Sequence, residues 1–173
     1  MNKQQIKYYL ITLLSVIAGI CLDQYTKFLA VTHLKDKPPF VIIQNVFELN
    51  YLENKGAAFG ILQNQQWFFI VSFVFIITII IWLYIKLPTS KRFLPLHVCS
   101  ALIVTGAIGN LVDRLKLGYV IDFFYFSLID FPIFNVADIF VVTGVIFLAV
   151  VILFVYTEDE LDDILSFRRM HRK

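Results

Sequence analysis

Charged residues are scarce in this chain of 173 residues: they make up 16% of it, whereas apolar residues make up 59%. A typical soluble domain is about 25% charged and about 45 to 50% apolar, so the composition excludes an ordinary soluble globule. The net charge is only +2, and no basic run is interleaved with aromatic residues, so nothing indicates a nucleic-acid partner. Two cysteines, Cys21 and Cys99, cannot form the disulfide framework of a small secreted domain. The apolar excess indicates that lipid surrounds this chain.

The sequence also lacks the short motifs of several hydrolase classes. It contains no Gly-x-Ser-x-Gly turn to present a serine nucleophile and no His-Glu-x-x-His pair to bind zinc. Its three histidines, His33, His97 and His171, lie far apart in the chain. Serine–histidine chemistry and metal catalysis are therefore disfavoured, and we expect no metal or other cofactor.

Four apolar runs are long enough to cross a membrane as helices, which takes about 20 mostly apolar residues. They lie near residues 8–34, 66–87, 93–112 and 136–156. The fold class predicted is an all-α polytopic membrane protein with four transmembrane helices. We expect a single membrane-embedded domain over residues 1–173, ending in a charged cytoplasmic tail at 158–173, for which no role is predicted.

The first run has an alternative interpretation as a cleaved signal peptide, because Lys3 and Lys7 precede its apolar core. Residues 18–21 even resemble a lipoprotein cleavage box. Ile20 stands where such a box needs a small residue, however, and apolar residues continue to Leu34. A retained transmembrane helix is the better prediction.

The distribution of basic residues predicts the orientation. Four crossings place both termini on one side, where nine Lys and Arg residues flank the spans, against five on the other side. By the positive-inside rule both termini face the cytoplasm, and segments 35–65 and 113–135 lie outside. Residues 40–53 and 118–126 are rich in strand formers, which adds a small extracytoplasmic β-rich cradle to the predicted fold.

Ionisable residues within a span are costly unless they are paired, so their positions are a functional clue. Asp23 and Lys27 are four residues apart and share a helix face; they are either functional or an ion pair that fixes helix packing. The third span carries a stripe of small and polar residues on one helix face. The stripe is a packing seam that ends in an Asp–Arg pair, or part of a site. It consists of Gly106, Gly109, Asn110, Asp113 and Arg114.

Two further aspartates lie near the predicted outer ends of the spans. Asp122 stands alone in an aromatic stretch, and Asp138 begins the fourth span three residues after Asn135. Each has a structural alternative, because Asp122 could face solvent and Asp138 could complete a capping box with Asn135. If both acids reach one pocket, they share a proton. The ionised member can then activate a water while the protonated member donates to a scissile carbonyl, which predicts aspartic peptide hydrolysis.

Four segments of the chain together resemble the lipoprotein signal peptidase family, also called signal peptidase II. They occur in the order expected of that family and extend over most of residues 8–156. The segments are Asp-Gln-Tyr-Thr-Lys at 23–27, Asn-Lys-Gly-Ala-Ala-Phe-Gly at 54–60, the stretch 109–123 and Phe-Asn-Val-Ala-Asp at 134–138. One departure is Ile139, where a small residue such as serine is expected, and it concerns local helix packing.

The resemblance implies an aspartic endopeptidase of the bacterial cytoplasmic membrane. Such an enzyme removes the signal peptide from diacylglyceryl-modified prolipoproteins, just before the lipidated cysteine. By motif position, the resemblance implies that Asp122 and Asp138 are catalytic. The implied partners are prolipoprotein substrates, membrane lipid and the antibiotic globomycin. The implied substrate-binding residues are Asn54, Gly56, Asn110, Arg114 and Asn135, and the implied supporting polar residues are Asp23, Lys27 and Asp113.

Two other classes of function are the alternatives. A small transporter or channel could use the charged residues of the first and third spans as a polar pathway, but it would need ionisable groups across the whole membrane depth. Here they crowd the predicted outer end. A structural membrane subunit would not need two separate outer carboxylates beside asparagine-rich turns.

Overall fold

The computed structural model describes residues 3–56 and 65–165. Within these ranges, four helices are long and apolar enough to cross a membrane, and a three-stranded antiparallel sheet accompanies them. This architecture confirms the predicted fold class. The elements, in chain order, are α1 (Lys3–Leu34), β1 (Phe40–Ile43), β2 (Phe47–Asn54), α2 (Gln66–Lys86), α3 (Leu94–Leu117), β3 (Val120–Tyr125), α4 (Val136–Phe154) and α5 (Glu158–Leu165).

Helix α3 extends further than the apolar run indicates. It continues to Leu117, five residues beyond the predicted end at residue 112, so Asp113 and Arg114 are helical and do not belong to the outer loop. The helix ends there because Gly118 adopts a left-handed conformation, with φ of 80°, and its N–H bonds the Arg114 carbonyl at 3.1 Å.

The sheet positions the segment that precedes α4. Strand β2 pairs with both β1 and β3, in the order β1-β2-β3. The backbone of Phe134 exchanges hydrogen bonds with Phe124 of β3, at 2.8 and 3.0 Å. Because only three residues lie between Phe134 and Asp138, this bridge holds the first turn of α4 beside the strand that carries Asp122.

Close helix packing explains the glycines of the polar stripe. A Cβ atom at Gly106 would collide with the backbone carbonyl of Ala137 in α4, and one at Gly109 would lie 2.7 Å from Asp23 Oδ2 in α1. Side chains larger than hydrogen therefore cannot occupy these positions without moving a helix. The packing-seam interpretation is correct for the glycines.

A buried ion cluster joins α1 to α3. Lys27 is 2% exposed, and its Nζ lies 2.9 Å from Asp23 Oδ2, 2.8 Å from Asp113 Oδ2 and 3.0 Å from Asn110 Oδ1. These contacts use all three ammonium protons. Asp23 Oδ1 also accepts from the backbone N–H of Ala137 at 2.9 Å, which ties the start of α4 to the same cluster.

The alternative in which the stripe ends in an Asp113–Arg114 pair is wrong. Asp113 forms its ion pair with Lys27 and also accepts from the backbone N–H of Ile121 at 3.2 Å. Arg114 donates instead to the carbonyl of Gly56 at 2.8 Å. Consecutive residues of a helix point in directions about 100° apart, so when α3 continues through both residues they face different neighbours.

We expect Lys27→Met to destabilise the protein, because it would leave Asp23 and Asp113 buried without a cation. Breaking a buried pair in this way costs about 3 to 5 kcal/mol, and the midpoint of thermal unfolding in detergent should fall clearly. Lys35→Met is the matched control, since the Lys35–Glu53 pair is solvent-accessible and should contribute little. Equal midpoints for the two variants would contradict a structural role for the cluster.

Candidate active site

One cavity of about 560 Å³ brings most of the predicted site residues together. It lies among α2, α3, β3 and the start of α4, at the end of the bundle where α1 and α3 finish. Its remaining walls are mainly apolar and include Phe69, Phe73 and Phe131. The polar side chains of the lining are those of Asn54, Asn110, Arg114, Asp122, Asp138 and Thr143, and Gly56 also lines the cavity.

Asp122 is enclosed on β3, so the alternative in which it faces solvent is wrong. It is 2% exposed, and its two carboxylate oxygens accept from Asn54 Nδ2 at 2.8 Å and Asn135 Nδ2 at 2.6 Å. Burial raises the pKa of Asp122 to about 7, and the charge of Asp138 acts in the same direction. The two amide donors oppose this shift without cancelling it.

Asp138 has a structural role as well as a place in the cavity. Its backbone N–H bonds Asn135 Oδ1 at 3.0 Å, and its Oδ2 accepts from the Asn135 N–H at 3.1 Å, which completes a capping box. The other oxygen, Oδ1, accepts from Asn110 Nδ2 at 2.8 Å. The capping prediction is therefore confirmed, while the carboxylate still lines the cavity.

Asn135 connects the two acids although it is not part of the cavity lining. It is fully buried, and its Nδ2 donates both to Asp122 Oδ1 and to Asn110 Oδ1, the latter at 3.1 Å. Asn110 in turn contacts Lys27 and Asp138. One continuous set of hydrogen bonds thus runs from the ion cluster to both carboxylates.

Arg114 brings a fixed positive charge to the cavity wall. It is 6% exposed, and its guanidinium lies 4.1 Å from the centre of the Phe69 ring. One nitrogen, Nη2, donates to Gly56, while Nε and Nη1 have no partner among residues 3–56 and 65–165. A bound group that carries acceptor oxygens would satisfy these donors.

The supporting residues lie behind the cavity. Asp23, Lys27 and Asp113 do not line it and reach it through Asn110 and the backbone of Ala137. No group of three His, Cys, Asp or Glu side chains in the described part of the chain could hold a metal ion. Of the segment 54–60, residues 57–60 lie outside the described residues, as do residues 166–173 of the tail.

Sequence reasoning did not identify the aromatic wall. Phe69 and Phe73 belong to α2, which is apolar on every side, so no periodicity distinguishes the cavity-facing residues from those facing lipid. Ile139, singled out for its size, does not disturb helix packing, since it lines the cavity and is 43% exposed.

Comparisons with known proteins agree with this geometry. The family model described as signal peptidase (SPase) II matches residues 15–154. The lipoprotein signal peptidase of Clostridioides difficile is 45% identical over 142 residues, which cover 82% of this chain and 94% of that protein. That of Caldanaerobacter subterraneus is 46% identical over 136 residues, covering 78% and 90%.

Two solved structures share the fold. Both are bacterial membrane enzymes determined by the in meso method, and they superpose with TM-scores of 0.75 and 0.71 at 28% and 30% identity. The first covers 94% of each chain, and the second covers 84% of this chain and 94% of the other. On these matches and the four membrane-spanning helices, this chain belongs to the signal peptidase II family of bacterial membrane peptidases.

Proposed function

We propose that Asp122 and Asp138 are the catalytic dyad with which this signal peptidase II removes the signal peptide from prolipoproteins. The observation that carries the proposal is their shared cavity, behind whose lining Asn135 bonds both acids, while Asn110 bonds the second. Both carboxylates belong to the lining of this one cavity, and each accepts a hydrogen bond from an asparagine amide.

The chemistry follows from the protonation of the pair. With a pKa of about 7, Asp122 is protonated in about half of the molecules at neutral pH, whereas an exposed carboxyl would be almost fully ionised. Asp138 then acts as the base that takes a proton from the attacking water, while Asp122 donates its proton to the scissile carbonyl. Collapse of the tetrahedral intermediate breaks the C–N bond, and the amine leaves with a proton returned by the dyad.

The walls of the cavity suit a lipid-modified peptide. Phe69, Phe73 and Val142 offer apolar surface to acyl chains or to the signal helix, while Arg114 and Asn54 offer donors to peptide carbonyls. The substrate we infer is therefore a diacylglyceryl-modified prolipoprotein that enters laterally from the bilayer. Globomycin, a cyclic lipopeptide inhibitor of this family, should compete for the same cavity.

The proposed orientation places both termini in the cytoplasm and the cavity near the outer face. The excess of basic residues at the end where α1 begins supports it. A transporter is not favoured, since the ion cluster is internally paired at 2.8 to 2.9 Å and α2, apart from its terminal Lys86, carries no charge.

Replacing either acid by asparagine should abolish cleavage, because Asn cannot exchange the proton that each step requires. We expect the rate to fall by about 10² to 10⁴ or more, measured as conversion of a lipidated prolipoprotein on a gel. The matched control is Asp130→Asn, which makes the same change at an exposed residue hydrogen-bonded to Tyr125. Turnover by Asp122→Asn or Asp138→Asn at the rate of this control would contradict the assignment of these two residues as the catalytic dyad.

The pH profile tests the proton on Asp122. Because burial holds its pKa at about 7, kcat/KM should decline as pH rises above about 7, when both acids become ionised. Asn54 stabilises the ionised form of Asp122, so Asn54→Ala should raise that pKa and move the decline to higher pH. An unchanged or downward-shifted profile would contradict this assignment.

Arg114→Lys tests the proposed contact with substrate. Lysine keeps the charge but cannot reproduce the planar set of donors, so we expect KM to rise about tenfold or more if two charge-assisted hydrogen bonds to substrate are lost. Unfolding midpoints for the variant and the parent show whether the fold is intact. An unchanged KM with an intact fold would exclude Arg114 from substrate binding.

A further inference from the structure

A second cavity, of about 520 Å³, opens between the first halves of α1 and α3. It lies at the end of the bundle where these helices begin, opposite the active site. Its mouth, near the start of both helices, carries Gln4, Lys7 and Lys91, whereas Ile11 and Leu102 line it further along them. Thr12 and Ser15 also line this inner part, and their hydroxyls are hydrogen-bonded within the protein. A polar, basic mouth above an apolar floor is the profile expected for one headgroup and one acyl chain.

The mouth is positively charged and not neutralised. Lys7 and Lys91 are exposed, neither forms an ion pair within residues 3–56 and 65–165, and the cavity lining contains no acidic residue. Helices α1 and α3 both begin at this end, so their N-termini add partial positive charge.

The acidic helix α5 does not cancel this charge, because it packs against a different face of α3. Its Ile164 belongs to a buried cluster with Leu96 and Cys99, and its Glu160 pairs with Arg92 at 2.9 Å. The cavity is lined instead by Leu94, His97, Val98, Ala101 and Leu102, at the spacing of a single helix face. The groove and α5 therefore lie on separate surfaces.

His97 supplies an independent indication of a ligand. It lines the cavity, is 2% exposed and packs between the rings of Tyr8 and Tyr84. Its Nε2 lies 3.2 Å from the carbonyl of Pro88 and must donate to it, since a carbonyl only accepts. Its Nδ1 is then an acceptor, and it is buried without a partner among the described residues. A buried acceptor of this kind normally has a hydrogen-bond donor, which a ligand in the cavity could supply.

We propose that this cavity binds an anionic glycerophospholipid whose headgroup carries a hydroxyl, the chemistry of phosphatidylglycerol. The phosphodiester lies between Lys7 and Lys91, a headgroup hydroxyl donates to His97 Nδ1, and one acyl chain follows Ile11 and Ala101. Basic pockets between transmembrane helices are known to hold anionic headgroups. The orientation proposed above puts the site in the cytoplasmic leaflet, and the site makes no use of the catalytic dyad.

Native mass spectrometry of the full chain, exchanged into a zwitterionic detergent, tests the proposal. Dioleoylphosphatidylglycerol is titrated beside dioleoylphosphatidylcholine, and inorganic phosphate is the soluble anion. We expect phosphatidylglycerol to bind in preference to the other two. Each basic residue near the headgroup should contribute about a fivefold factor in affinity, so Lys7→Gln with Lys91→Gln should weaken binding by about 30-fold.

The control variant combines Lys37→Gln with Lys116→Gln, which removes the same charge at the other end of the bundle. It should bind phosphatidylglycerol like the parent. Ala101→Leu adds bulk to the cavity lining without changing the charge. It should also weaken binding, because the acyl chain would lose its space. A general attraction of lipid to the basic surface would not be affected by this variant. None of these residues lines the active site, so cleavage by all three variants reports that they are folded.

Three kinds of result, any one of which suffices, would overturn the proposal. The first is parental affinity in the Lys7 and Lys91 double variant, or an equal loss in its control. The second is parental affinity in Ala101→Leu. The third is equal binding of phosphatidylcholine, or occupation by inorganic phosphate at the concentrations that saturate with lipid.

Discussion

The side-chain amide of Asn135 donates to Asp122 at 2.6 Å and to Asn110 at 3.1 Å, and its carbonyl oxygen accepts from the backbone of Asp138 at 3.0 Å. A single fully buried side chain therefore sets the relation between the strand that carries one acid and the helix that carries the other. Because this amide is buried within the protein, solvent would not replace a hydrogen bond that it lost.

The buried polar groups between Lys27 and the two acids form one connected system for the same reason. Lys27 contacts two carboxylates and Asn110, and Asp23 accepts a hydrogen bond from the backbone N–H of Ala137 in the first turn of α4. A charge in such a place is costly unless it is paired and fully hydrogen-bonded. The glycines of α3 allow the backbones to approach closely enough for these contacts. Helix packing and the acidity of Asp122 therefore depend on the same few residues.

The spacing of residues in the sequence predicted the contacts that form between near neighbours in the chain. Four-residue spacing gave the Asp23–Lys27 contact, and the Asn135 to Asp138 spacing gave the capping box, because both form within one or two helical turns. The third partner, Asp113, lies 2.8 Å from Lys27 although it is distant in sequence, and only the packing of α3 on α1 brings it there. The alternative that paired Asp113 with Arg114 was wrong because their actual partners, Lys27 and the carbonyl of Gly56, come from distant parts of the chain. The aromatic wall of α2 had no sequence signal, since that helix is apolar all round.

The capping box at Asp138 limits which residues of the proposed active site can be substituted to give resistance to an inhibitor. Most polar groups of the cavity also hold the fold: Asp138 caps α4, Asn110 bonds Lys27, and Arg114 anchors Gly56. A compound that directs its hydrogen bonds to these atoms faces targets that cannot change without loss of structure. Resistance substitutions should therefore arise at apolar wall positions such as Ile139 and Val142, and inhibitors that depend least on those side chains should stay effective longest.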